Sequence, residues 1–231
     1  MKITLRGEGS TDIGKLDKDI LIKGAVLILI EKLYCYQKLY ETLGSSEDYN
    51  FIEWIYIHKE EIKSSSLKRK KMILRGKKEH REKGINTQIL KGFYNNSESF
   101  AFLSKEKEAD IAIFFVDTDN DTYDERYNQV KAGLKKGGFE KNAVPMIATK
   151  ISEAWLLCCL NNYKNCAEFE QLTNDKNNHF YPKTQIEEMG ILREEIAKNC
   201  DPNKIDMPSF NQFREDFQEA IHFYMKKPIC E

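Results

Sequence analysis

Residues 110–121 read DIAIFFVDTDND. From Ile111 to Val116 the run is continuously apolar and rich in β-branched and aromatic side chains. Such a run predicts a strand buried on both faces, as in a parallel sheet covered by helices. It ends in alternating carboxylates, Asp117, Asp119 and Asp121. Ligands of open α/β sheets bind at the carboxyl edge, where such a strand ends. Carboxylates this close repel one another and demand a cation, and hard oxygen donors favour Mg²⁺, Mn²⁺ or Ca²⁺. The spacing begins like a calcium loop, but the sixth position is Thr122 instead of glycine and the twelfth is Asn128 instead of glutamate. That reading therefore fails. Asp121 has a second explanation. Thr122 and Glu125 form a capping box ahead of a helical stripe of Tyr123, Tyr127, Val130 and Leu134, and a negative charge is favoured at a helix N-terminus.

Upstream, Lys2–Leu5 alternates polar and apolar residues and predicts a first strand. It runs into Gly7-Glu8-Gly9 and then Ser10-Thr11-Asp12. The glycines give a tight exit and let a ligand approach the backbone. They leave Glu8 at a strand end, as Asp117 is. A solvated loop glutamate, with Ser10 or Asp12 capping the next helix, is the plainer explanation. Lys18–Leu43 carries a helical stripe and predicts one long helix stopped near Gly44, and Phe51–His58 has the content of a second strand. The composition then changes. Ser64–Lys83 reads SSSLKRKKMILRGKKEHREK and carries Lys68, Arg69, Lys70, Lys71, Arg75, Lys77, Lys78, Arg81 and Lys83 against Glu79 and Glu82. Phosphate backbones bind such a run through counterion release, whereas the plain alternative is a solvated loop. Asn86–Glu108 is mostly helical in pattern.

Downstream, Ala143–Thr149 predicts another strand and Ile151–Leu160, ISEAWLLCCL, a helix. Glu153 is its single charged residue and shares a face with Leu156, Leu157 and Leu160. A carboxylate there must be paired or bound, either in a site or in a core salt bridge. Asn161–His179 is polar and Asn-rich. Thr184–Asn199 and Ser209–Tyr224 predict two further helices, the second with an apolar face of Phe210, Phe213, Phe217 and Ala220.

The 231 residues suit one large α/β domain or a domain with an appendage. With a formal net charge of −1, affinity for nucleic acid has to come from a local patch. MKITLRGEG lacks the apolar core of a signal peptide, and the longest apolar run, Ala25–Ile30, is too short to span a membrane. Six cysteines include no C-x-x-C pair. They read as buried, reduced thiols of a cytoplasmic protein, not as a zinc site.

Taken in order, a strand ending in Gly7-Glu8-Gly9, a basic segment over residues 64–84, a strand ending in Asp117-Thr118-Asp119 and a strand followed by Glu153-Ala154-Trp155-Leu156-Leu157 resemble the Toprim domain. That domain occurs in topoisomerases, primases and overcoming-lysogenization-defect nucleases. The chain is more narrowly similar to small Toprim-like proteins with GEG, D-x-D and E-A-W-L-L motifs. The resemblance covers roughly residues 1–160. It implies a Rossmann-like, mostly parallel sheet flanked by helices, with residues 161–231 as a helical extension packed on that core. It implies divalent-metal-dependent phosphodiester chemistry on DNA or RNA, most simply a nuclease acting against mobile DNA. Asp117 and Asp119 would hold Mg²⁺ or Mn²⁺, with Asp121 as a further candidate ligand. Glu8 would be a ligand or general base, and Glu153 would hold a second metal ion or orient Asp119. Lys150 would neutralise transition-state charge. Lys68, Arg69, Lys70, Lys71, Arg75, Lys77, Lys78 and Arg81 would hold the nucleic-acid backbone. The alternative is a non-catalytic regulatory module that binds metal and nucleic acid through a degenerate site.

Overall fold

A computed structural model describes residues 1–7, 9–17, 20–43, 52–65, 92–118 and 121–226. The first strand, β1 (Lys2–Arg6), is followed by a short helix α1 (Ser10–Ile13) and an antiparallel hairpin of β2 (Gly14–Asp17) and β3 (Ile20–Lys23). Helices α2 (Ala25–Glu31) and α3 (Tyr34–Leu43) lead to β4 (Glu53–Tyr56). After α4 (Phe93–Glu106) come β5 (Ile111–Asp117), α5 (Tyr123–Lys136), β6 (Ala143–Ala148) and α6 (Glu153–Leu160). The remainder is helical: α7 (Cys166–Phe169), α8 (Pro182–Glu188), α9 (Arg193–Asn199) and α10 (Pro208–Met225).

β4, β1, β5 and β6 pair in that order into a four-stranded, all-parallel sheet flanked by helices. The chain is thus an α/β protein with a Rossmann-like architecture. The apolar run over Ile111–Val116 is what its pattern predicts. Ile111, Ile113 and Phe115 enter one core, while Ala112, Phe114 and Val116 enter another on the opposite face. Alternation of side chains along a strand makes a continuous apolar run necessary when both faces are covered.

The first core is closed by α2, α6, α9 and α10. Phe210, Phe213, Phe217 and Ala220 of α10 are buried there, and Phe210 and Phe213 meet edge-to-face at 5.7 Å between centroids. Trp155 of α6 packs edge-to-face on Phe210 at 5.1 Å and donates from Nε1 to Ser209 Oγ at 3.0 Å. Among the described residues, the helices that follow α6 therefore share one core with the sheet. The second core lies under α4 and α5.

Three local expectations are corrected. Residues 18–43 do not form one helix. Gly14 adopts φ +108°, a hairpin follows, and Gly24 caps α2. A Cβ on Gly24 would lie 2.5 Å from the Asp12 carbonyl of α1 and 2.7 Å from Gly14 N, so the start of α2 is pressed against the junction of α1 and the hairpin. α2 is apolar on every side because it is buried on every side. Residues 184–199 likewise divide into α8 and α9 at Gly190, which adopts φ +65°. The cysteines are not all thiols: Cys158 is bonded to Cys166 and Cys159 to Cys200. Folding brings partners 8 and 41 residues apart together, a proximity that spacing alone does not show. Among the described residues no helix is long and apolar enough to cross a membrane.

Candidate functional site

The strand order defines where a ligand crevice belongs. From β1 the chain moves outward to β4 on one side, then returns past β1 to β5 and β6 on the other. The reversal lies between β1 and β5, and open α/β sheets bind ligands at that switch point, outside the carboxyl ends of the strands. β1 ends at Arg6 and Gly7, and β5 ends at Asp117.

On the β1 side, Gly7 packs so closely on Ile13 that a Cβ would fall 2.4 Å from Cγ2. Asp12 folds the exit back by accepting from the Gly9 N–H at 3.1 Å. Arg6 is buried under the edge, where Nη1 donates to the Phe115 carbonyl at 2.9 Å and the guanidinium lies 4.7 Å from the Phe114 ring centroid.

On the β5 side, Asp117 is half-buried and its Oδ1 accepts from the Ser152 N–H at 3.1 Å. Ser152 is the N-cap of α6, so this carboxylate faces the positive end of the helix. Thr118, inside the D-x-D motif, is buried and organises the loops. Its N–H donates to the Ala148 carbonyl at 2.9 Å, and its Oγ1 accepts from the Lys150 N–H at 2.7 Å. Its carbonyl accepts from Asp121 N at 3.0 Å and from Arg126 Nη2 at 3.0 Å. Arg126, buried in α5, also pairs with Asp121 at 2.6 Å, which gives that carboxylate a partner other than a metal ion. Thr122 caps α5, accepting from Glu125 N at 3.4 Å and donating to Glu125 Oε2 at 2.9 Å.

Glu153 opens α6 and is 3% exposed. Its Oε1 lies 2.5 Å from Arg193 Nη1, and the same nitrogen lies 4.0 Å from Asp12 Oδ1. Lys150, in the left-handed region at φ +62°, turns its Nζ to the carbonyls of Gln171 and Leu172 at 2.9 and 2.7 Å.

The fold thus brings Asp117, the N-terminus of α6, Asp12 and the buried Glu153–Arg193 pair to one end of the sheet. Glu8 and Asp119 lie outside the described residues, as do Lys68, Arg69, Lys70, Lys71, Arg75, Lys77, Lys78 and Arg81. Among the described residues no group of three or more His, Cys, Asp or Glu side chains gathers as a metal site. The oxygen donors at the switch point are still of the kind that Mg²⁺ and Mn²⁺ take: Asp117 in place, with Glu8 and Asp119 next in the chain to residues at the two strand ends. No sequence pattern marks Arg193 or Arg126. Arg193-Glu194-Glu195 has the look of an exposed helical surface, and only the fold carries it back to Glu153.

Compared with protein-family models, curated proteins and solved structures, the chain matches none.

Proposed function

We propose that the protein is a Toprim-like, divalent-metal-dependent hydrolase of nucleic-acid phosphodiesters, a nuclease acting in the cytoplasm. One observation carries the reading: the acidic end of β5 lies at the switch point of an all-parallel sheet, beside the exit of β1 that leads into Glu8. Asp117 and Asp119, with Glu8, would hold Mg²⁺ or Mn²⁺, one ion or two. Bound metal would supply charge stabilisation for the attacking and leaving oxygens.

The chain's own residues have distinct tasks in this reading. Thr118 and Arg126 hold the loop that follows β5, and Ser152 orients Asp117. Glu8 accepts a proton from the attacking water if it is not a ligand. The lysines and arginines of residues 68–81 hold the substrate backbone. Two disulfides are unusual in a reducing compartment, so the compartment decides whether they persist.

Calorimetry with Mn²⁺ tests the metal assignment. Asp117→Ala combined with Asp119→Ala should abolish binding. The variant should still melt cooperatively in chelator, at a temperature lowered only by loss of the Asp117 contact with the Ser152 N–H. Unchanged Mn²⁺ binding in the double variant would sink the assignment.

A second reading is favoured by two observations. Glu153 is paired with Arg193, and Lys150 is bonded to two carbonyls. Both side chains therefore have structural employment, which suits a non-catalytic module that binds metal and nucleic acid. Binding of nucleic acid in Mn²⁺ without cleavage would select it.

A further inference from the structure

We infer that the bond between Cys159 and Cys200 is a redox switch. A dithiol reductant opens it ahead of the bond between Cys158 and Cys166, and its opening loosens the helix that carries Arg193.

The two bonds leave α6 at adjacent residues but lie in different surroundings. Cys158 and Cys166 are 0% and 4% exposed, so neither sulfur is open to an incoming thiolate. Cys200 is buried too, but Cys159, in the last turn of α6, is partly exposed. Exchange begins with attack of a thiolate on one sulfur, so access decides which bond reacts first. The reductant's thiolate attacks Cys159 Sγ, a mixed disulfide forms there, and the Cys200 sulfur leaves. The reductant's second sulfur then displaces Cys159 and closes the reductant's own disulfide. Two electrons pass to the protein, and the two thiol protons of the reductant end on Cys159 and Cys200. The freed Cys159 thiol has an acceptor at hand, since its Sγ lies 3.3 Å from the Trp155 carbonyl.

This bond holds α9. At their first residues, α6 and α9 are joined by Glu153 and Arg193 at 2.5 Å, and at their far ends by Cys159 and Cys200, the C-cap of α9. A bond across 41 residues restricts the chain more than one across 8, so opening it releases more. After reduction α9 keeps Ile196 and Ala197 in the first core and the hydrogen bonds from Lys32 Nζ to the carbonyls of Ala197, Lys198 and Cys200. It stays folded, but non-covalent contacts alone hold its end, and local opening becomes easier. Arg193 carries the change onward. Its guanidinium lies 4.0 Å from Asp12 Oδ1, and Asp12 shapes the exit of β1 by accepting from the Gly9 N–H. Redox state thus reaches the carboxyl edge of the sheet, whatever ligand that edge takes.

The test uses the full wild-type chain, air-oxidised and treated with dithiothreitol under native conditions. Samples are alkylated at intervals and digested with trypsin for mass spectrometry. The peptide of residues 199–204, which holds Cys200, should be released in alkylated form while that of residues 165–176, which holds Cys166, stays linked to 151–164. Hydrogen exchange at that stage should show lost protection over residues 194–200 and at the Asp12 and Ile13 amides, which donate to the Gly9 carbonyl. Cys200→Ser should show the same pattern without reductant. Release of both peptides together, earlier release of 165–176, or no linked peptides in the oxidised chain overturns the inference. Unchanged exchange over α9 once 199–204 has been released also overturns it, because the bond would then be opened without consequence.

Discussion

Glu153 shows how a single buried carboxylate can serve the fold through one ion pair. Its partner Arg193 is mostly buried with it, so Glu153→Gln keeps the shape but strands a guanidinium. Breaking such a pair costs about 3 kcal/mol, the lower end of the range for buried pairs, because Arg193 keeps some contact with water. In chelator the variant should therefore unfold at lower temperature than wild type, which a thermal scan checks directly. A melting temperature equal to wild type would mean that the pair contributes nothing in solution. The position of Asp117 at the end of β5 was legible from the sequence, because a doubly buried strand must end where its apolar residues end. The pairing of Glu153 was legible only as a need for compensation. Which cation meets it depends on a contact across 40 residues, which periodicity does not encode.

The helices were legible where an element has one covered face and unclear where it is buried throughout. The stripe of α10 read correctly because one side faces the core. α2 has no polar side, so its period carried no signal, and β3 ahead of it was absorbed into a longer helix. The contact between α5 and α10 carries a pH dependence of its own. Tyr127 donates to both oxygens of Asp216, at 3.1 and 2.8 Å, while Lys131 Nζ lies 3.0 Å from the tyrosine oxygen. Burial pushes Asp216 above the usual carboxylate range, against the opposing pull of the Tyr127 hydrogen bond and Lys131, and Glu219 adds to the rise. Burial and the Asp216 carboxylate push the Tyr127 hydroxyl upward, which keeps it a proton donor. A carboxyl whose folded value is raised binds its proton more readily in the folded state. Its stabilising contribution is therefore present in acid and is lost as pH rises through that raised value. Asp216→Asn retains an acceptor for Tyr127 and removes the titration. Relative to wild type, the variant should gain stability as pH rises above about 4, the ordinary carboxylate value, through the raised value of Asp216. Urea unfolding across that interval measures it, and a parallel pair of curves would contradict it.

At the scale of the whole molecule, the C-terminal helices are part of the first core, and two disulfides bind them to α6. Closing the 41-residue separation between Cys159 and Cys200 contributes about 4 kcal/mol by chain entropy. Cys200→Ser should lower the melting temperature by roughly 10 °C for a chain of this size, and a reducing agent should do the same to wild type. A melting curve indifferent to reductant would return these cysteines to the thiol state that their spacing first suggested. The sheet class was legible because strand pattern and carboxyl-edge acids agree. Its strand order was not, since no local signal distinguishes which neighbour β1 takes on each side. That order puts the exits of β1 and β5 side by side, where the proposed metal would act on nucleic acid. The most direct measurement is a cleavage panel of single- and double-stranded DNA and RNA in Mg²⁺ and in Mn²⁺, with wild type beside Asp117→Asn. The expected result is cleavage of at least one substrate by wild type, dependent on metal and lost in Asp117→Asn. Equal cleavage by both proteins, or none by wild type on any substrate with either metal, would contradict it.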